Sequence, residues 1–377
     1  MRNRLLSLLL IVCLLCPAVC AAGVEVPAPS AILMDAATGT ILWEKNDHER
    51  LAPASVTKIM TLLLVLEALD AGRIGWDDTV TASTAASAKG GSQVYLEVGE
   101  QMSLRDMLKC VVVSSANDCA TALAEHVAGS EAGFVEMMNA RAEELGLADT
   151  HFVNCTGLDD EPNAAEHLTS AHDLAVISRE LLRHDEIREY TTIWMDTVRD
   201  GQFGLSNTNK LVRFYSGTTG LKTGYTSAAG HCLSATASRD GIELIAVVLH
   251  CASSTDRFES AKALLDYGFA TWRLYTPDSA DIGAVPVTLG AVAEITPVLA
   301  DASPLLIEKG ARPTQQVTLD EGVTAPVEAG QQLGTLTVTA GDQTLAELPL
   351  VAPERVERLS WWQLTCRLLR AVCLCAE

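Results

Sequence analysis

The chain has 377 residues, enough for two domains with buried cores, and its apolar content of 48% is typical of a globular protein and argues against disorder. Acidic residues outnumber basic ones by 48 to 27, which gives a formal net charge of −21. Because phosphate backbones are bound by basic patches, this balance argues against a nucleic acid partner and indicates little else about function.

The first residues, MRNRLLSLLLIVCLLCPAVCAAG, have a basic start, a short apolar core and small residues at the end. This layout is typical of a secretory signal peptide, and the apolar core is short for a membrane span. The sequence therefore predicts an exported protein with a signal peptide over residues 1–22. An uncleaved N-terminal anchor is the alternative, and Val19 before Cys20 fits a lipoprotein signal poorly.

Two apolar-rich runs around Ala36–Gly39 predict a β-hairpin near the start of the mature chain. The next segment, LAPASVTKIMTLLLVLEAL, is apolar nearly all round, which predicts a buried central helix that ends near Gly72. Residues 104–130 have the pattern helix, break, helix, and residues 133–147 and 170–184 predict two more helices.

After these helices the spacing of apolar residues changes from a helical pattern to the alternation typical of strands. The stretches GLKTG and AGHCLSATASRDGIELIAVVLHCA alternate and are rich in β-branched residues, with Arg239-Asp240-Gly241 as a predicted hairpin turn. DRFESAKALLDYGFATWRLY returns to a helical period. Because the helices lie between two terminal sets of strands, we expect a fold of the α/β (α+β) class, with an antiparallel sheet built from both chain ends and flanked by helices.

The composition shifts near residues 276–283. Beyond this point the sequence consists of short strands and turns without a candidate catalytic cluster, which predicts a separate small β-sandwich or β-barrel-like domain over residues 283–352. The last segment, 353–377, predicts an amphipathic helix with an Arg-bearing polar face and a Trp pair beside its apolar face. Such a helix favours a position in a membrane surface, and packing on the protein is the alternative.

Five cysteines lie between the predicted signal peptide and the C-terminal segment. An odd number fits no simple disulfide framework, and none has the spacing of metal ligands. We therefore expect small buried apolar side chains at these positions. The five residues are Cys110, Cys119, Cys155, Cys232 and Cys251.

The head of the apolar helix carries the pattern Ser55-x-x-Lys58. A serine hydroxyl is a poor nucleophile until a base takes its proton, and no histidine lies in an obvious Ser/His/Asp pattern. Positions i and i+3 share a helix face, so the Lys58 amine is expected beside the Ser55 hydroxyl. Burial lowers a lysine pKa, which would make Lys58 a neutral base for Ser55; a surface lysine before a core helix is the alternative.

Two further motifs raise the weight of this interpretation. SSANDCATALAEH places Ser115 and Asn117 at a break between helices, where they can point into a cleft or simply cap the next helix. LKTGYT places Lys222-Thr223-Gly224 on a strand whose edge can pair with a peptide-like substrate, with glycine permitting close approach. An ordinary edge strand is the alternative for the second motif.

Together, these three motifs resemble the signature of penicillin-binding proteins and serine β-lactamases. The surrounding stretches, such as APASVTKIMTLLLVLE and GLKTGYTSAAGHCLSATA, more narrowly resemble the low-molecular-mass D-alanyl-D-alanine carboxypeptidases over residues 28–275. The following β domain and terminal helix also resemble that family's layout. The resemblance implies a catalytic domain over residues 23–276, no cofactor or metal, and a place at the outer face of the bacterial cytoplasmic membrane or in the cell envelope.

The resemblance also implies a reaction on the D-Ala-D-Ala end of the peptidoglycan pentapeptide, with β-lactams as covalent inhibitors. Ser55 attacks the carbonyl of the penultimate D-alanine, Lys58 accepts its proton, and the backbone amides of Ser55 and Tyr225 form the oxyanion hole. Ser115 and Lys222 pass a proton to the leaving D-alanine.

In the same scheme Asn117 orients the peptide, and Thr223 binds the terminal carboxylate with the help of Arg257. A surface charge at a helix cap is the alternative for Arg257. This chain has Ala116, Thr156 and Tyr225 where family members often have glycine, histidine and histidine, so only the backbone role of Tyr225 carries over.

Two other functions share some of these features. A β-lactamase has the same fold and acyl-enzyme, and Glu161-Pro162-Asn163 resembles the glutamate loop of class A enzymes, but the Leu-Asn that should follow is missing. A non-catalytic envelope-binding protein would retain the fold without turnover. The presence of every nucleophile and base position favours the carboxypeptidase.

Overall fold

A hairpin from the start of the chain and a hairpin from its middle form one sheet. The structure, a computed structural model, describes residues 24–160, 163–279 and 281–374. The predicted signal peptide and the Glu161-Pro162 pair lie outside the described residues. The chain divides into two compact units, residues 1–268 and 269–377, and each is described by itself below.

The first unit contains nine described strands and nine α-helices. The strands are β1 (Ser30–Asp35), β2 (Ile41–Lys45), β3 (Thr79–Thr81), β4 (Gln101–Ser103), β5 (Met195–Val198), β6 (Phe203–Ser206), β7 (Thr218–Thr226), β8 (Gly230–Arg239) and β9 (Ile242–Cys251). The helices are α1 (Lys58–Asp70), α2 (Thr84–Ser87), α3 (Leu104–Ser114), α4 (Asn117–Ala128), α5 (Glu131–Glu144), α6 (Ala171–Leu181), α7 (Ile187–Thr191), α8 (Leu211–Phe214) and α9 (Ser254–Thr271).

The main sheet has the order β2-β1-β9-β8-β7, and every neighbouring pair is antiparallel. It is built from strands near both ends of the first unit, which confirms the predicted fold class. Asp240 and Gly241 form the turn between β8 and β9, both with positive φ, as a two-residue hairpin turn requires. The strand β7 lies at one edge of this sheet, so its outer side is open for pairing.

The helix α1 lies in the largest cluster of buried apolar side chains. Its residues are buried on all sides, from Ile59 to Leu66, so the segment has no polar face to turn toward water. A 3₁₀ turn, Ala54–Thr57, precedes it directly. This arrangement anchors the Ser55 turn on a rigid element in the centre of the unit.

The five predicted structural cysteines are buried free thiols. Burial raises the pKa of Cys155 and Cys232 above the usual range for a thiol. Such thiols are mostly protonated and pack as small apolar groups, in agreement with the sequence-based prediction.

The second unit is built mainly of short strands. They are β10 (Trp272–Tyr275), β11 (Val285–Thr288), β12 (Glu294–Ile295), β13 (Val298–Leu299), β14 (Leu305–Glu308), β15 (Pro313–Leu319), β16 (Val323–Thr324), β17 (Gln332–Ala340) and β18 (Gln343–Val351). They form sheets of order β13-β18-β17-β15, β12-β11-β16 and β10-β14. The predicted small all-β domain is therefore present, and in the same unit β10 pairs with β14.

The last described element is α10, Trp361–Leu374. Trp361 is 77% exposed, and Trp362, Leu368 and Leu369 are also exposed. Arg367 donates a hydrogen bond to the Gly290 carbonyl of the same unit at 3.3 Å. No helix within the described ranges is both long and apolar enough to cross a bilayer.

Candidate active site

The Ser55 hydroxyl and the Lys58 amine lie at hydrogen-bond distance at the head of α1. Because a 3₁₀ turn brings residues i and i+3 to the same side, Lys58 Nζ lies 2.9 Å from Ser55 Oγ. Lys58 is 0% exposed, and this burial lowers the pKa of its amine to about 7. A large fraction of the amine is therefore unprotonated at neutral pH and able to accept a proton.

The other contacts of Lys58 fix where its lone pair points. Nζ also lies 2.5 Å from Asn117 Oδ1 and 2.7 Å from the Thr156 carbonyl oxygen, and both of these oxygens only accept hydrogen bonds. The orientation of the Asn117 amide follows from its Nδ2, which donates to the Gly90 carbonyl at 2.7 Å. A neutral amine has two N–H bonds, so these two acceptors occupy both and leave the lone pair facing the Ser55 hydroxyl. This is the arrangement that a general base for Ser55 needs.

Ser115 and Asn117 lie at the predicted break between α3 and α4. Ser115 has left-handed φ and ψ of 63° and 29°, which ends α3 and places its side chain on the cleft that Ser55 also lines. Asn117 is buried, and its amide contacts Lys58 and Gly90. The amide predicted to orient the peptide therefore holds the Lys58 amine in this structure, and its Nδ2 carries one further N–H.

Lys222 is a second buried lysine at the site. Its Nζ donates to the Thr223 carbonyl at 2.8 Å. Burial is the main cause that lowers its pKa well below the usual range, and the charges of Lys58 and Arg257 add to the effect. The charge of a protonated Lys58 therefore disfavours protonation of Lys222, which suits a site where protons are taken up and given back.

Gly224 allows β7 to pack against the backbone of the Ser55 turn. A Cβ atom at this position would lie 2.8 Å from the Pro53 carbonyl oxygen and 3.0 Å from Ser55 N. We predicted a glycine that permits close approach of a substrate; the structure places the protein's own backbone beside it. The neighbouring Tyr225 side chain is exposed and stacks on His231, with ring centroids 4.4 Å apart.

Arg257 presents a largely buried cation to the cleft. It is 7% exposed, and its guanidinium donates to the carbonyls of Gly224 at 3.1 Å and Cys232 at 3.4 Å and to Ser254 Oγ at 3.2 Å. These partners are uncharged, and its buried Nε has no hydrogen-bond partner among the described residues. A buried cation without a carboxylate partner is well suited to bind an anion.

The cleft has a volume of about 340 Å³ and brings together most of the predicted residues. Sequence reasoning missed three of its lining residues, Ser92, Thr208 and His231. His231 pairs with Tyr225 across the hairpin of β7 and β8, so the hairpin register was a usable signal. Thr208 accepts a hydrogen bond from the Thr223 hydroxyl at 2.7 Å, but its loop has no periodic pattern that would indicate this. The residues that line the cleft are Ser55, Ser92, Ser115, Thr208, Thr223, Gly224, Tyr225, His231 and Arg257.

A sequence model described as D-alanyl-D-alanine carboxypeptidase matches residues 18–253. The chain belongs to the D-alanyl-D-alanine carboxypeptidase family. A second model, the C-terminal domain of penicillin-binding protein 5, matches residues 274–358 of this carboxypeptidase. These matches confirm the resemblance on which the predicted fold and reaction class depend.

Individual relatives of the carboxypeptidase agree with the family match. It is 39% identical over 340 residues to the D-alanyl-D-alanine carboxypeptidase DacF of Bacillus subtilis, covering 88% of this chain and 86% of the relative. Among solved structures, penicillin-binding protein 5 from Haemophilus influenzae is 30% identical with a TM-score of 0.75, covering 89% of this chain and 98% of that one. Penicillin-binding protein D2 from Listeria monocytogenes, solved in an ampicillin-bound form, is 31% identical with a TM-score of 0.59 and covers 65% of this chain and 98% of that one.

This carboxypeptidase is therefore a serine-type hydrolase of the penicillin-binding protein class, as the sequence predicted.

Proposed function

We propose that this carboxypeptidase removes the terminal D-alanine from peptidoglycan pentapeptides through an acyl-enzyme on Ser55. The observation that carries the proposal is the buried Lys58 amine, whose lone pair faces Ser55 Oγ at 2.9 Å when the amine is neutral. Lys58 accepts the hydroxyl proton while Ser55 Oγ attacks the carbonyl carbon of the penultimate D-alanine. Water then hydrolyses the ester and restores Ser55.

The oxyanion formed in this attack needs donors that are already in place. The backbone N–H groups of Ser55 and Tyr225 are proposed for this role, and the close packing of Gly224 on Ser55 N supports it. Ser115 and Lys222 pass the proton to the leaving D-alanine nitrogen. Asn117 holds Lys58, and the further N–H of its Nδ2 contacts the substrate peptide.

The terminal carboxylate of the peptide is assigned to Thr223 and Arg257. Arg257 lines the cleft as a cation with only uncharged hydrogen-bond partners among the described residues, and Thr223 lies on the same wall. The open edge of β7 pairs with the extended peptide backbone. A β-lactam carries a carboxylate and a reactive carbonyl in a similar arrangement, so the same groups bind it and Ser55 is acylated.

Three measurements on the purified protein test this function. Release of D-alanine from a peptide that ends in D-Ala-D-Ala, with slow nitrocefin hydrolysis and a stable penicillin adduct, is the expected result. Rapid nitrocefin turnover would instead indicate a β-lactamase. A protein inert to all three compounds would indicate an envelope-binding role without catalysis.

Arg257→Gln is expected to lower kcat/KM for a D-Ala-D-Ala peptide by about 30-fold or more, because loss of a buried charge partner costs about 2 kcal/mol or more. The comparison substrate is the same peptide with a C-terminal amide, for which the variant should lose little. Lys262→Gln, which removes a partly exposed lysine of α9 paired with Glu259, is the matched control and should keep wild-type kinetics. An equal loss on the acid and the amide peptide would contradict carboxylate binding by Arg257.

We further propose a catalytic domain over residues 23–276, a small β domain over 283–352 and a membrane-associating segment over 353–377, after export through a signal peptide. The exposed Trp361, Trp362, Leu368 and Leu369 of α10 support contact with a membrane surface. We therefore propose that the enzyme acts at the outer face of the cytoplasmic membrane, next to its peptidoglycan substrate.

Deletion of residues 354–377 from the mature protein is expected to abolish sedimentation with vesicles of phosphatidylglycerol and phosphatidylethanolamine. The double change Trp361→Ser and Trp362→Ser should weaken sedimentation strongly, because it removes the aromatic anchors. Tyr95→Ser, at an exposed aromatic residue of the first unit, is the control and should sediment like wild type. Undiminished sedimentation of the truncated protein would show that α10 packs on the protein instead, as its Arg367–Gly290 contact allows.

A further inference from the structure

The peptide bond between Ala54 and Ser55 is held in place at its carbonyl end. Ala54 has a positive φ of 49°, which a residue with a side chain rarely adopts without support. The Thr57 hydroxyl donates a hydrogen bond to the Ala54 carbonyl oxygen at 2.8 Å. In a trans peptide the C=O and N–H bonds point in opposite directions, so a fixed Ala54 carbonyl also fixes the direction of the Ser55 N–H.

Two glycines from distant segments pack against the same peptide bond. A Cβ atom at Gly157 would lie 1.8 Å from the Ala54 carbonyl oxygen, and a Cβ atom at Gly224 would lie 3.0 Å from Ser55 N. At both positions the added Cβ atom would meet backbone atoms, which cannot move aside as the end of a flexible side chain can. Only glycine therefore fits at these two positions. The peptide bond before Ser55 is thus confined from both sides.

Behind Thr57 lies a buried histidine whose tautomer the hydrogen bonds determine. His167 is 3% exposed, and its Nδ1 accepts the Val153 backbone N–H at 3.1 Å, so its proton is on Nε2. Nε2 lies 2.8 Å from Thr57 Oγ1, and Thr57 already donates its own hydrogen to Ala54, so Nε2–H is the donor. Burial is the main cause that lowers the pKa of His167 to about 4, which keeps the ring neutral at the working pH of most enzymes.

We propose that His167 and Thr57 are positioning residues of the oxyanion hole. The hydrogen bonds run from His167 Nε2–H to Thr57 Oγ1, from the Thr57 hydroxyl to the Ala54 carbonyl, and through that peptide to the Ser55 N–H. Hydrogen bonds in such a chain polarise one another, so the Ser55 N–H becomes a stronger and better aligned donor. The inference rests on the proposed role of Ser55 as nucleophile and oxyanion donor.

The chain offers matched variants that separate this role from folding. His167→Gln keeps a donor near the Nε2 position, whereas His167→Asn keeps only an acceptor for Val153 N near the Nδ1 position. Thr57→Ser keeps the hydroxyl, and Thr57→Val removes it with little change in shape. The rate constant of acylation by benzylpenicillin is expected to fall roughly 10- to 100-fold in His167→Asn and Thr57→Val and less than about 3-fold in the other two.

A boronic acid that carries a D-alanine-like side chain tests the oxyanion site directly, because its adduct with Ser55 is tetrahedral and negatively charged. Its affinity should fall in parallel with the acylation rate constant, while the dissociation constant of the non-covalent penicillin complex stays within about 2-fold. The His167→Asn and Thr57→Val effects should also be less than additive in the double variant, since both break one chain.

The outcomes distinguish this inference from the proposed function. If penicillin does not attach covalently to Ser55 of the wild-type protein, the proposed function fails. If wild type is acylated but His167→Asn and His167→Gln acylate equally fast, or boronate affinity stays unchanged while the melting temperature falls, the positioning role is overturned. Full additivity in the double variant would overturn it as well.

Discussion

Ser55→Ala is expected to give a folded protein that takes no covalent mass from benzylpenicillin and releases no D-alanine. Loss of a serine nucleophile from a hydrolase lowers kcat by at least about 10⁴-fold, because the remaining groups have nothing to activate. The Ser55 side chain is small and lies in the 3₁₀ turn Ala54–Thr57, which leads into α1 and packs against β7, so little stability is lost. Intact-protein mass spectrometry after incubation with benzylpenicillin measures the result.

The control for this experiment is Ser92→Ala, at another serine that lines the same cleft. Penicillin should attach covalently to this variant as it does to wild type. Mass spectrometry of the proteolytic peptides should place the adduct on the peptide that contains Ser55. An adduct that survives in Ser55→Ala and disappears in Ser92→Ala would identify Ser92 as the nucleophile.

Lys58→Met should keep the fold and lower the acylation rate constant by about 10²- to 10⁴-fold, the usual effect of a general base. Methionine fills a similar volume in the buried site and has no proton-accepting amine. Asn117 Oδ1 and the Thr156 carbonyl lose their donor, which costs about 1–3 kcal/mol for each buried acceptor, but the variant no longer buries an ionisable amine. Stopped-flow acylation and thermal unfolding separate the two effects, and Lys58→Ala should give the same kinetic result.

The pH dependence of acylation identifies the base independently. Because the neutral amine is the active form, the wild-type rate constant should rise with pH and level off above a midpoint near the Lys58 pKa of about 7. Lys58→Met should lack this rise. A rise that persists in Lys58→Met would mean that another group, such as Lys222, takes the proton.

The same pKa predicts a stability effect whose sign can be checked. The folded-state pKa of Lys58 is about 7, below the ordinary value of 10.5, so the unfolded chain binds more protons between these pH values. Lys58 therefore destabilises the fold fully below pH 7, and this penalty is relieved as the pH rises toward 10.5. Relative to Lys58→Met, the free energy of unfolding of wild type should rise over this range.

The three sequence motifs predicted the elements and the cleft well because their chemistry is local. A serine three positions before a lysine lies on the same side of a helical turn, and Ser115 ends α3 with a left-handed backbone just before α4 begins. The buried, apolar surroundings of α1 also predicted that Lys58 would be held neutral.

Other features depend on contacts between distant segments, which a single sequence does not encode in its period. The residues after Thr271 were expected to continue the helix, but they form β10, because Leu305–Glu308 offers a pairing partner far along the chain. The occupied amide of Asn117 and the packing of Gly224 on Pro53 likewise follow from tertiary contacts. His167 gave no signal, because a histidine three residues before the N-cap Ser170 is unremarkable in sequence.

The confined peptide bond before Ser55 limits how this enzyme can evolve drug resistance. In the proposed mechanism a β-lactam and the natural peptide use the same Ser55 N–H, and Gly157 and Gly224 pack against the peptide bond that carries it. Mutations that let this peptide bond move would lower the rate of acylation by the drug and the rate of the physiological reaction together. Such mutations would therefore give no selective advantage. We expect resistant alleles to map instead to exposed rim side chains such as that of Tyr225, which the proposed oxyanion hole does not use.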